Sequence, residues 1–254
     1  MIYDTIAHEE TWNNYFKGVD PEKYVVFIHY KTQEELKYFE SAKLKHCVPT
    51  SYGRISLVEA QNVLLTEALK DVAVYKMIIL SNTCIPLKTF DHIYAKLTSD
   101  NNGYFNECPQ SQCMPRCLEV LKYIPKQDIY KSSAWFIANR TQAEHYTQHT
   151  EYLKYFTTVE QISPEEHYYI TINRKYCSED TIYTPNTAET ATTFTNWEDM
   201  DYKYPSTGGI KNYSSVTKEE MDYLVSSPCL FGRKFLPYCR VDGISMDKFL
   251  SNLI

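Results

Sequence analysis

No run of about eighteen apolar residues occurs in the 254-residue chain, and no charged-then-apolar leader precedes a small-residue cleavage site. The sequence therefore predicts neither a membrane span nor a secretory signal, and a soluble chain, cytoplasmic by default, is expected. A surplus of positive charge is missing as well. Lys and Arg number 26 against 32 Asp and Glu, a formal net charge of -6, and the pI is near 5.7. A nucleic-acid partner calls for a basic face, so small or neutral substrates are expected instead. Of the eight cysteines only Cys108, Cys113 and Cys117 cluster, and this trio has neither the paired two-residue spacing nor the nearby His of a structural zinc site. Without a secretory signal, reduced thiols are the default. No internal repeat of about 20–50 residues is visible.

What is present suits a compact α/β fold. With 43% hydrophobic and 23% charged residues the chain can bury a sizeable core as one domain or two tightly joined lobes. Its 23 tyrosines offer apolar rings with polar tips, which suit carbohydrate surfaces, although packing explains most of them residue by residue. Residues 24–29 (YVVFIH) form a continuous β-branched and aromatic run, read as a central parallel strand. Leu57, Ala60, Leu64 and Ala68 recur at helical spacing within 56–69, and 74–80 is again apolar throughout. Residues 81–86 break that strand and 90–97 restart a helix, a strand–helix alternation that predicts a mostly parallel sheet with ligands at its carboxyl edge. Further on, 133–139 reads as a strand, 140–156 and 165–173 as helices, and 181–209 as a long functional loop. A Thr-x-x-Glu capping pattern opens a helix at Thr217.

Six segments, in order, carry a resemblance: 24–31 (YVVFIHYK), 52–61 (YGRISLVEAQ), 75–88 (YKMIILSNTCIPLK), 132–140 (SSAWFIANR), 163–172 (SPEEHYYITI) and 229–235 (CLFGRKF). Together they resemble the glycosyltransferase family 14 domain of the core-2/I-branching β-1,6-N-acetylglucosaminyltransferases and their plant-type relatives. The resemblance implies an α/β, GT-A-like fold: a mostly parallel central sheet flanked by helices, with an irregular acceptor-side second half. It implies one glycosyltransferase domain over 1–254, with a nucleotide-sugar half at about 1–125 and an acceptor and catalytic half at about 126–254. The first family strand is expected to be truncated, since 1–7 keeps at most its tail. Family relatives are mostly Golgi-lumenal. The chain departs from the family at Ser81-Asn82-Thr83, where Ser-Gly-x-Asp is usual, and at Lys31, where many members carry Asp.

Moving a sugar from a nucleotide diphosphate requires a base for the acceptor hydroxyl and positive charge for the departing diphosphate. The resemblance implies an inverting, metal-independent transfer from a UDP-sugar, N-acetylglucosamine by analogy, to a glycan or glycoprotein hydroxyl, with no cofactor beyond that donor. Glu166 then matches the catalytic Glu. Lys234 and Lys211 match the cations on the diphosphate, with Arg233 as a neighbour able to bind phosphate bidentately. His29 and Ser81 fall on the donor side, and Trp197 and Arg116 on the acceptor side. Asp199 and Asp201 have the Asp-x-Asp spacing of a metal site, but they lie late in an irregular loop and read as solvated carboxylates. The alternative from another class is a catalytically silent carbohydrate- or nucleotide-sugar-binding module.

Overall fold

The computed structural model describes residues 1–112, 119–157, 163–187, 190–197 and 210–251. Its elements follow the expected mixture of helix and strand: α1 (Glu9–Tyr15), α2 (Ser56–Leu69), β1 (Lys76–Ile78), β2 (Ile85–Pro86), α3 (Phe90–Thr98), β3 (Gly103–Glu107) and β4 (Ile137–Asn139) come first. They are followed by α4 (Arg140–Gln148), α5 (Leu153–Phe156), α6 (Tyr168–Tyr176), β5 (Thr181–Pro185), β6 (Thr193–Thr195), β7 (Tyr213–Val216), α7 (Lys218–Ser226), β8 (Phe231–Arg233), β9 (Phe235–Val241), β10 (Ile244–Ser245) and α8 (Met246–Leu250). Helix α7 starts where the capping pattern put it, with the Thr217 hydroxyl accepting from Glu220 N at 3.1 Å. Among the described residues no helix is long and apolar enough to cross a membrane, and the six cysteines there are free thiols.

The sheets are mixed, which corrects the expectation of a mostly parallel one. The largest has the order β1-β4-β3-β5. Strand β4 runs antiparallel to both β1 and β3, and only β3 and β5 are parallel. The cause lies in the connection after β3. Beyond it the chain comes back beside the strand it left: Cys108 N donates to Lys131 O at 2.9 Å and Ser133 N to Asn106 O at 2.8 Å. A chain that doubles back next to its own strand must pair antiparallel. Two smaller three-stranded sheets, β2-β8-β6 and β10-β9-β7, complete the fold.

Three other expectations shift. Residues 24–29 are extended but carry only isolated bridges, Ile28 to Lys43 and, just beyond, Ile2 to Tyr30. The first residues of the chain lie between them and 74–80: Met1 N donates to Leu80 O at 2.8 Å and Ile2 N to His29 O at 2.9 Å. The single helix expected over 140–156 is broken at His149 into α4, a 3-10 turn and α5. The long loop expected over 181–209 contains β5 and β6, which are short, Thr-rich and recruited by β3 and β8.

The principal core lies between α2, the largest sheet and α6, and gathers Val58, Leu65, Met77, Phe105, Phe136 and Tyr169. Phe105 and Phe136 stack with ring centroids 5.0 Å apart. Many tyrosines serve here rather than on a sugar-facing surface. Tyr146 donates to Asn173 Oδ1 at 2.6 Å and Tyr169 to Val58 O at 3.1 Å, so each buried phenol has the partner its burial demands. Replacing Phe105 with Ala opens a cavity against Phe136 and Tyr146, with an expected cost of about 3–5 kcal/mol. Urea denaturation measures it, and a loss below about 1 kcal/mol would mean that this core collapses freely around the missing ring.

Candidate active site

Residue Glu166 is presented by a turn whose geometry follows from its sequence. Ser163 adopts a left-handed φ of 53°, and Pro164 opens the 3-10 turn Pro164–Glu166, where a missing N–H costs nothing. Two further bonds tie this turn to the strand that returns beside β3: Ser132 N donates to Glu166 O at 2.8 Å, and His167 Nδ1 donates to Tyr130 O at 2.9 Å. The side chain of Glu166 is 19% exposed and its Oε2 lies 3.3 Å from Lys131 Nζ. The charge of Glu166 acts on Cys108 and Arg233, and that of Glu165 acts on Tyr169.

Beside this turn lies an open pocket of about 310 Å³ lined by Glu107, Cys108, Gln127, Ile129, Tyr130 and Lys131. Glu107 pairs with Arg174 at 2.5 Å, and the Arg174 guanidinium stacks on Tyr183 at 3.5 Å. Lys131 Nζ also lies 3.4 Å from Cys108 Sγ. Burial pushes the Cys108 thiol up, Lys131 pulls it back, and the charge of Glu166 adds a smaller upward push.

The cationic side is built by β8. Arg233 ends that strand with its guanidinium 4.2 Å from the Trp135 ring centre, and its buried Nε has no hydrogen-bond partner among the described residues. Burial lowers the pKa of this guanidinium, opposed by Cys84, Glu166 and Tyr52. Lys234 follows, half-buried, and is pulled down to about 8 by burial first and by the neighbouring Arg233 charge second. The turn at Ser81 abuts this pair: Cys84 N bonds Ser81 O at 3.2 Å and Phe235 N bonds Thr83 O at 3.1 Å. The Ser81 hydroxyl lies 3.2 Å from Cys84 Sγ. The charge of Glu166 thus acts on Arg233, and the Ser81 turn is bonded to the chain just past Lys234.

The other expected residues stand differently. Lys211 is close through its backbone, since Tyr213 N bonds Lys234 O at 2.8 Å, but its ammonium is 3.3 Å from Glu220 Oε1 and lies over Tyr213 at 4.8 Å. His29 is buried with Nε2 accepting from Val48 N at 3.0 Å, and burial lowers its pKa, which keeps the ring neutral as that bond requires. Trp197 is 41% exposed just past β6, and Asn196 beside it accepts from Lys211 N at 3.1 Å. Arg116, Asp199, Asp201, Cys113 and Cys117 lie outside the described residues. Sequence reasoning missed Lys131, Cys108 and the Glu107–Arg174 pair as parts of this site. Lys131 stands one residue before the segment 132–140 already singled out, and that adjacency was the available signal.

Comparison with known proteins identifies a family. The family described as core-2/I-branching enzyme matches residues 1–225. Glycosyltransferase BC10 of Oryza sativa subsp. japonica is 26% identical over 155 residues, which cover 57% of this chain and 38% of the rice protein. The match thus spans less than two-fifths of that curated relative's length.

Proposed function

The chain belongs to the core-2/I-branching enzyme family, and from that premise we propose that it is an inverting, metal-independent glycosyltransferase. In this reading a UDP-sugar, with UDP-N-acetylglucosamine the first to test, gives its sugar to a glycan hydroxyl. The donor lies over a GT-A-like first half and the acceptor against the second. The acceptor oxygen attacks the anomeric carbon as the bond to the diphosphate breaks, Glu166 takes the hydroxyl proton, and the leaving diphosphate keeps the electron pair. A single displacement inverts the anomeric centre.

The observation that supports the reading is a half-buried carboxylate, Glu166, whose charge acts on the buried guanidinium of Arg233 at the end of β8, with the half-buried Lys234 next in the chain. A cation about 4 Å from a phosphate oxygen at an effective dielectric near 20 is worth roughly 4 kcal/mol. Two of them supply much of what a divalent ion does elsewhere. Burying two like charges side by side is unfavourable in the empty protein, and a diphosphate between them relieves it. Lys211 joins them by leaving Glu220, and Trp197 offers its exposed ring to the acceptor sugar.

A thermal-shift titration with nucleotide sugars, run with and without EDTA, tests the donor and the metal together. UDP-N-acetylglucosamine at 100 times its Kd is expected to add roughly 2.7 kcal/mol of stability in both conditions, and UDP release should follow when a glycan acceptor is added. Stabilisation without UDP release in either condition identifies a silent sugar-nucleotide-binding module instead. Activity that EDTA removes and Mn²⁺ restores overturns metal independence.

A further inference from the structure

Lys131 is a buried basic group that this chemistry leaves unused. Its side chain is 8% exposed, and an ammonium so deeply buried persists only with partners. Its ammonium lies 3.3 Å from Glu166 Oε2 and 3.4 Å from Cys108 Sγ. The backbone sets the meeting in advance. Residues 131–133 are held on one side by the end of β3, through the bonds of Cys108 and Ser133. On the other side the Glu166 turn is held through Ser132 N and through His167 to Tyr130 O. Four contacts that use the backbone therefore hold the chain at and beside both members of the ion pair.

We infer that Lys131 is a positioning residue that holds the Glu166 carboxylate in place at the edge of the pocket lined by Glu107, Cys108 and Tyr130. The inference rests on the proposed role of Glu166 as base. A carboxylate on a short turn has free rotation about its last torsion, and tying Oε2 to a buried ammonium fixes the carboxylate plane against the pocket. The groups facing it are Lys131 and Cys108 from the returning strand and the end of β3, and Arg233 from β8. Of these, Lys131 forms an ion pair with it. Lys131 acts through Glu166 and takes no part in bond making.

The test is a kinetic double-mutant cycle with UDP-N-acetylglucosamine as donor, UDP release as readout and a glycan acceptor panel. Lys131→Met is expected to lower kcat by about 10²-fold, the scale of a misplacement near 1 Å, with the donor KM unchanged. Lys131→Arg, which keeps the charge, should recover most of that loss. In a Glu166→Gln background Lys131→Met should cost nothing further, because two residues acting as one unit are not additive. A merely structural lysine would instead lower both backgrounds equally. Full additivity, or a Glu166→Gln loss that Lys131→Met does not share, overturns this inference and leaves Glu166 as base. Parent-rate turnover by Glu166→Gln, or no UDP release by any form, overturns the base reading and this inference with it.

Discussion

Changing Glu166 to Gln is expected to lower turnover by about 10²–10⁴-fold, the usual cost of losing a general base, while donor binding stays close to that of the parent. Gln keeps the length of the side chain and can still accept from Lys131 through its carbonyl oxygen, so the buried ammonium is not left alone. What it lacks is an oxygen able to take a proton. The turn should survive, because Pro164, the left-handed Ser163 and the bonds at Glu166 O and His167 do not depend on the carboxylate. Glu165→Gln is the internal control. The charge of Glu165 falls on Tyr169 inside the core rather than on Cys108 and Arg233, so its replacement should leave turnover within a few fold. Steady-state UDP release for the two variants decides the matter, and a dependence on Glu165 instead of Glu166 would move the base by one residue.

Local signals were legible in the sequence wherever a single element satisfies its own pattern. Helix α2 has the bounds its apolar spacing predicts, and Thr217 caps α7 as its Thr-x-x-Glu pattern requires. Strand direction was not legible. Residues 133–139 look the same whether they run with or against β3, and only the return of the chain at 131–133 decides it. Short strands were hidden for a related reason. β5 and β6 are short and Thr-rich, and they exist because β3 and β8 present unsatisfied edges to them. The site divides along the same line. Glu166, Arg233 and Lys234 sit inside extended matching segments that single them out, whereas Lys131 is an isolated lysine whose meaning comes from a contact 35 residues away in the chain.

Changing Lys234 to Met is expected to weaken UDP-N-acetylglucosamine binding and to make the protein more stable, two effects of opposite sign from one buried charge. The loss follows from Coulomb's law: roughly 4 kcal/mol for a cation about 4 Å from a phosphate oxygen corresponds, at about 1.4 kcal/mol per decade, to up to about 10³-fold in kcat/KM. The gain follows from the empty site. Burial and the Arg233 charge bring the ammonium down to about 8, below the ordinary lysine value, so the folded state disfavours the charged form. The unfolded chain then binds more protons than the native one between about pH 8 and the unfolded lysine value near 10.4. Stability contributed by this group therefore rises with pH across that window, and the full penalty is present below pH 8. Met fills similar volume without the charge and removes the penalty, so its melting temperature should exceed that of the parent at pH 7, with the difference narrowing as pH rises past 8. Donor affinity of the parent should fall over the same range, as Lys234 loses its proton. A bound diphosphate opposes that loss, so the fall should begin at higher pH when the donor is saturating. Paired melting curves and donor titrations at pH 7 and pH 9.5 read both effects. If Lys234→Met melts lower than the parent and binds the donor equally well, Lys234 is a packing residue and the diphosphate must be held elsewhere.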